Sequence, residues 1–325
     1  MLTSHRLALL LFILFAFNAS AQFTDVINSN RPGESMSAFS VGKTVIQAEL
    51  GLYRTDQEHE DLGYESVGYG GDLAVRYGAF FEQLELILEA NYMRDRFTSF
   101  GEKTNRNGFQ HLIIGGKFLI YDPNKNYEKK PNLYSWKANH SFSWREFIPA
   151  VGVYAGVNLN LFDSPYHFED EASLSPKLML ITQNQFGKWV FVTNIIADKV
   201  ATNFMGFGYV ATVTRGFNPR WSGFLESQGF KDDFYTDVIF RVGAAFLIKE
   251  NIQVDASIGK NVKDTPSILT GGLGLSWRFD DNYEEVYLRV PKDEKDSDKD
   301  AKGKKDKKKN KKKRRDEVDV EAVPE

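Results

Sequence analysis

The sequence predicts an all-β protein, a transmembrane antiparallel up-and-down β-barrel of about twelve strands with a charged, disordered C-terminal tail. Segments in which apolar and polar side chains strictly alternate recur from residue 43 to residue 280, the period of two that a strand imposes. Most are at least as long as the roughly 9–11 tilted residues that cross a bilayer, against about 5–6 in soluble strands. Aromatic residues, among them Tyr53, Tyr77, Tyr92, Trp189, Phe217, Trp221, Tyr235 and Trp277, mark strand ends, as they do at membrane interfaces. The segment Ser267 to Phe279 shows the pattern best. Leu269, Leu273, Leu275, Trp277 and Phe279 share one face, and Thr270, Gly272, Gly274, Ser276 and Arg278 share the other. A soluble barrel or sandwich alternates in the same way, but strand length, a secretion signal and the aromatic ends favour lipid on the outside.

Residues 1–21 form that signal: a basic start at Met1 to Arg6, an apolar run from Leu7 to Phe17, and the small-x-small site Ala19-Ser20-Ala21. The run is too short for a bilayer helix of about 20 apolar residues. A Gram-negative cell outer membrane is the expected destination, with outer-membrane lipid and the barrel-assembly machinery as expected partners. Cysteine is absent, which excludes a disulfide framework, a lipidated cysteine and Cys-based metal or redox sites. No cofactor or metal is expected.

Residues 22–42 are polar and irregular, and Asn28 to Glu34 is rich in turn formers. They are expected to plug the periplasmic mouth, with Arg31 pairing to inward carboxylates such as Glu49 or Glu89. Strands follow near 43–54, 69–80, 82–96, 108–122, 147–162, 174–186, 188–198, 204–217, 220–230, 236–249, 251–261 and 267–279. Links after even-numbered strands are tight and those after odd-numbered strands are mostly longer and polar, as in outer-membrane barrels with both ends in the periplasm. The exception is Asp122 to Glu146, which carries Trp136, His140 and Trp144 and is expected to hold a short interfacial helix.

After residue 280 almost nothing remains to bury, so 281–325 is expected to be a disordered periplasmic tail. Its basic run comprises Lys304, Lys305, Lys307, Lys308, Lys309, Lys311, Lys312, Lys313, Arg314 and Arg315. The run is either a solvated spacer or a contact for peptidoglycan or an acidic periplasmic protein. Secretion excludes nucleic acid as its partner.

With the oily faces toward lipid, the inward set includes Glu49, Asp72, Arg76, Glu85, Glu89, His111, Lys117, Lys177, Asp198, Glu226, Asp237, Arg241, Asp255 and Arg278. Enclosed charges must pair or face water. A structural ion-pair network and a selective pathway both fit. Catalysis has no support: the sequence holds no Gly-x-Ser-x-Gly elbow and no His-Glu-x-x-His, and His111 has no serine in reach by local spacing.

Arg31-Pro32, Ser37 to Lys43 and Gln47 to Gly51, together with Gln253 to Gly259 and Gly272 to Phe279, resemble the opening and closing motifs of the barrels labelled "MetA-pathway of phenol degradation". The resemblance covers Arg31 to Phe279. Asn30 and Gly33, the insertion before Phe147 and the basic tail depart from it. It implies a barrel and passage of small, apolar molecules. The sequence reading is therefore a passive transporter or pore, with a non-conducting accessory subunit, anchored by its barrel and binding partners through 122–146 and the tail, as the alternative.

Overall fold

A computed structural model of the protein describes residues 27–125, 144–168 and 170–280. They fall within one compact unit, Met1–Asn282, and the second unit, Tyr283–Glu325, lies outside the described residues. So do the signal peptide, most of the Asp122 to Glu146 link and the basic tail. Of the helix expected in that link, a single 3-10 turn is described, Trp144–Phe147.

Twelve strands are described: β1 Ile46–His59, β2 Tyr64–Gly78, β3 Leu84–Ser99, β4 Glu102–Tyr121, β5 Ala150–Leu159, β6 Leu174–Phe186, β7 Trp189–Asp198, β8 Gly206–Gly216, β9 Trp221–Lys231, β10 Thr236–Lys249, β11 Ile252–Asn261 and β12 Ser267–Phe279. Each pairs antiparallel with its sequence neighbours, and β1 pairs with β12 from Ile46↔Phe279 to Glu58↔Ser267. The sheet is a closed barrel, and closure leaves no free edge.

The alternation sorts the side chains by polarity. Leu52 is 65% exposed and Leu273 67%, and Leu50, Leu86 and Val153 are exposed beside them, whereas Gln47, Glu49, Arg76, Glu85 and Lys117 on the opposite face are at most 2% exposed. Oily outside and charged inside inverts the arrangement of a soluble barrel. The apolar band is edged by tyrosines: Tyr77 at one end of β2 and Tyr69 toward the other are both exposed, about 27 Å apart along the strand and roughly 20 Å after tilting. Among the described residues no helix is long and apolar enough to cross a membrane.

One end of the barrel, the turn end, carries Ile46, Phe279, the tight turns 187–188 and 250–251 and the link into β5. The opposite, loop end differs from expectation. The links after β1 and β3, expected to be long, are only residues 60–63 and 100–101, because β1 to β4 run on for 14 to 20 residues each. Past the bilayer the outward side chains turn charged, so hydropathy stops alternating while the hydrogen-bonded ladder continues. β4 pairs with β5 only from Ile113 onward, so residues 102–112 stand beyond the neighbouring wall. The 160–173 loop covers this step: Ser164 Oγ donates to the Phe109 carbonyl at 2.6 Å and Tyr166 OH donates to Asp95 at 2.9 Å.

Candidate functional site: a threaded lumen

Residues 27–42 run through the inside of the barrel. An irregular chain enclosed this way must find a partner for each backbone N–H and C=O, and inward side chains supply them. At the turn end the Ile27 amide donates to the Glu250 carbonyl at 3.1 Å. Arg76 and Gln47 donate to the Asn28 carbonyl at 2.7 and 3.1 Å, and the Asn30 amide reaches Glu49. The chain then crosses the lumen. The Glu34 amide donates to both carboxylate oxygens of Glu226, at 3.1 and 3.0 Å. Asn194 brackets Met36, accepting from its amide at 2.6 Å and donating to its carbonyl at 2.9 Å. Gln183 accepts from Ser37 Oγ and the Ala38 amide. Finally Lys117 donates to the Ser37 and Phe39 carbonyls, both at 2.9 Å, and the Val41 amide donates to Glu85 at 3.0 Å.

The segment packs as well as bonds. Met36 and Ala38 are buried against Ile87, Ile113, Leu119, Tyr154, Met179 and Ile181, an apolar patch on the inner wall of β3 to β6 that would otherwise face water. Its exit into β1 is close: Thr44 donates to the Gly78 carbonyl at 2.8 Å, Gly42 takes a positive φ of 99°, and a Cβ on Gly78 would run into the Gly42 carbonyl.

Three charge clusters seat it. In the first, Arg76 pairs with Glu85 at 2.6 Å and with Glu49 at 2.9 Å, and Lys117 pairs with Glu85 at 3.2 Å. Two cations and two anions balance, as buried ions require. In the second, Arg241 pairs with Glu226 and reaches Glu34 at 3.5 Å. In the third, Arg31 lies between Asp72 at 3.7 Å and Asp255 at 3.5 Å. This corrects the expected partners of Arg31. Glu49 is engaged by Arg76, and Gly51 and Gly274, opposite each other across the β1/β12 seam, leave the slot that the guanidinium fills.

The other expected residues divide by height. Arg278 stands at the turn end, 3.3 Å from Asp280. Asp237 accepts from Tyr235 OH at 2.6 Å and Asn261 at 2.7 Å, so it fixes the loop-end rim. Glu89, His111 and Lys177 line the lumen beyond the plug without a hydrogen bond or ion pair among the described residues, and the Lys177 charge acts on both of the others. Tyr154, 1% exposed, has a hydroxyl with no hydrogen-bond partner, and it feels the charge of Glu89. On the turn-end side a cavity of about 210 Å³ lies between the plug and β6 to β11, bordered by Asn30, Ser35, Val192, Thr212, Phe224 and Gln253. Sequence reasoning missed the uncharged seats Gln47, Gln183 and Asn194. Their signal was an amide side chain at an inward position of a strand.

Residues 29–279 match the family described as "Putative MetA-pathway of phenol degradation". No curated protein matches the chain. Similar solved structures include an outer membrane channel from Pseudomonas putida F1, 12% identical, covering 78% of this chain and 100% of that one with a TM-score of 0.49. Others are the KdgM porin in complex with disordered oligogalacturonate (8% identical, 71% and 99% covered, TM-score 0.43) and the CymD monoaromatic hydrocarbon channel (8%, 74% and 90%, 0.42). The family match takes in nearly all of the threaded segment and every strand of the barrel, and the chain belongs to the MetA-pathway of phenol degradation family.

Proposed function

We propose that this protein is an outer-membrane channel of a Gram-negative bacterium, a passive pathway for small molecules that residues 27–42 close from the periplasmic side. The membrane half of the reading is supported by the exterior. A continuous apolar band on a closed barrel has no place in water, and a closed barrel is one of the two ways a backbone can cross lipid. The signal-like residues 1–21 and the common turn end of Ile46 and Phe279 support a periplasmic turn end.

The channel half rests on one observation: the lumen of the closed barrel is filled by an irregular segment that wall side chains hold. Apart from the backbone bond of Ile27 to Glu250 at the turn end, the described contacts of residues 27–42 with the wall run through side chains or packing, and the segment joins no strand of the sheet. With the segment displaced, the same donors and acceptors would line a polar passage leading to Glu89, His111 and Lys177. Planar-bilayer recording tests this. Deleting residues 27–38 should raise single-channel conductance several-fold over the full chain, and a folded deletion variant no more conductive than the full chain would contradict the reading.

A further inference from the structure

The β3–β4 hairpin carries arginines that the lumen does not use. Register sets the outward side chains in lateral rows. Leu52, Gly71, Tyr92 and Phe109 are neighbours across β1 to β4, and the next row toward the loop end is Arg54, Tyr69, Arg94 and Asn107, followed by Asp56, Val67, Arg96 and Asn105. Arg94 and Arg96 are exposed and have no carboxylate partner among the described residues. Arg54 pairs with Asp56 at 3.0 Å and lies 5.7 Å from the Tyr69 ring centroid. Glu58 and Glu65 stand one row further out.

We propose that this face binds the phosphates of an acylated phosphoglycolipid in the outer leaflet. The inference rests on the outer-membrane reading above, with the loop end outside. The arginines begin where the tyrosine-edged apolar band stops, which is headgroup depth, and Leu73, Leu86 and Leu88 below them offer the acyl chains an exposed apolar wall. A guanidinium matches a phosphate with two parallel hydrogen bonds and sheds its water more readily than an ammonium. Arg94 and Arg96, two residues apart on one face of β3, present two such forks about 7 Å apart on a rigid ladder.

The test is native mass spectrometry of the full chain in detergent with diphosphorylated lipid A and with its dephosphorylated form. The wild type should hold the diphosphorylated lipid, release it as salt rises to ~500 mM, and bind the dephosphorylated form about tenfold or more weakly. Arg94→Gln/Arg96→Gln should lose binding by a similar factor, and Arg94→Lys/Arg96→Lys, which keeps the charge but not the fork, should fall clearly between the wild type and the Gln variant. Equal binding of the two lipids by the wild type, or undiminished binding by a heat-modifiable Gln variant, would overturn the proposal. Vesicle insertion separates the two layers: a barrel that inserts but ignores lipid phosphates defeats this inference alone, and one that does not insert defeats the membrane reading as well.

Discussion

Lys117 holds the point where the threaded segment turns back toward β1. Its ammonium donates to two plug carbonyls and pairs with Glu85, and both Lys117 and Glu85 are fully buried. Lys117→Met should therefore leave the barrel folded while costing the seated plug about 3–5 kcal/mol, the usual cost of breaking a buried pair. The measurement is protease cleavage within residues 27–42, which should become fast while the strands stay protected. Unchanged protection would mean that Lys117 does not hold the plug. On the outer face, Leu73→Arg, midway between Tyr69 and Tyr77 on β2 and exposed, should raise the cost of insertion by about 2–4 kcal/mol, read from folding titrations into lipid vesicles, whereas Lys177→Ala should leave insertion alone. At this scale the sequence revealed which face each charge occupies but not its height. Glu49 and Asp72 both point inward, and which of them meets Arg31 depends on Gly51 facing Gly274 across the seam, a fact of register that alternation does not encode.

The strands were legible where each ended in a turn. β6 and β12 begin and end at the residues expected from the sequence, since their alternation runs into Gly187 on one side and Asp280 on the other. β1 to β4 were not, because their loop-end halves carry polar groups on both faces. The 160–173 loop that packs on this extension has its own fastenings: Phe168 stacks on Phe204 with centroids 4.9 Å apart and meets Phe234 in a tilted contact at 5.0 Å, and Glu171 pairs with Lys199 at 2.7 Å. Burial pushes the Glu171 carboxyl up, but hydrogen bonds from Lys199 and Asn160 outweigh it and hold the group below the usual carboxylate range. A carboxyl depressed in the folded state stabilises above its unfolded value, near about pH 4.3, and that contribution is lost as pH falls through the folded value. The protection of amides in residues 160–173, corrected for the slower intrinsic exchange at low pH, should thus fall on acidification below about pH 4 while the strands stay protected. A loop equally protected at both pH values would show that the pair does not fasten it.

For the molecule as a whole, the sequence disclosed the barrel, its closure and its inverted polarity, because a strand that is oily on one side repeats that fact every second residue. It indicated that residues 22–42 precede the barrel and belong at its mouth. It did not disclose that they cross the lumen, since a coil held by scattered side chains of distant strands leaves no periodic mark. Control of passage by that coil can be measured directly. Ser29 in the segment and Ser276 on β12 lie with their hydroxyl oxygens 2.7 Å apart, and the chain has no cysteine of its own. Ser29→Cys/Ser276→Cys should therefore form a single disulfide that ties the plug to the wall. In planar bilayers the oxidised protein should stay closed under applied voltage, and reduction should restore openings like those of the wild type. An oxidised, disulfide-bonded channel that conducts as freely as the plug-deleted barrel would contradict the claim that residues 27–42 close the lumen.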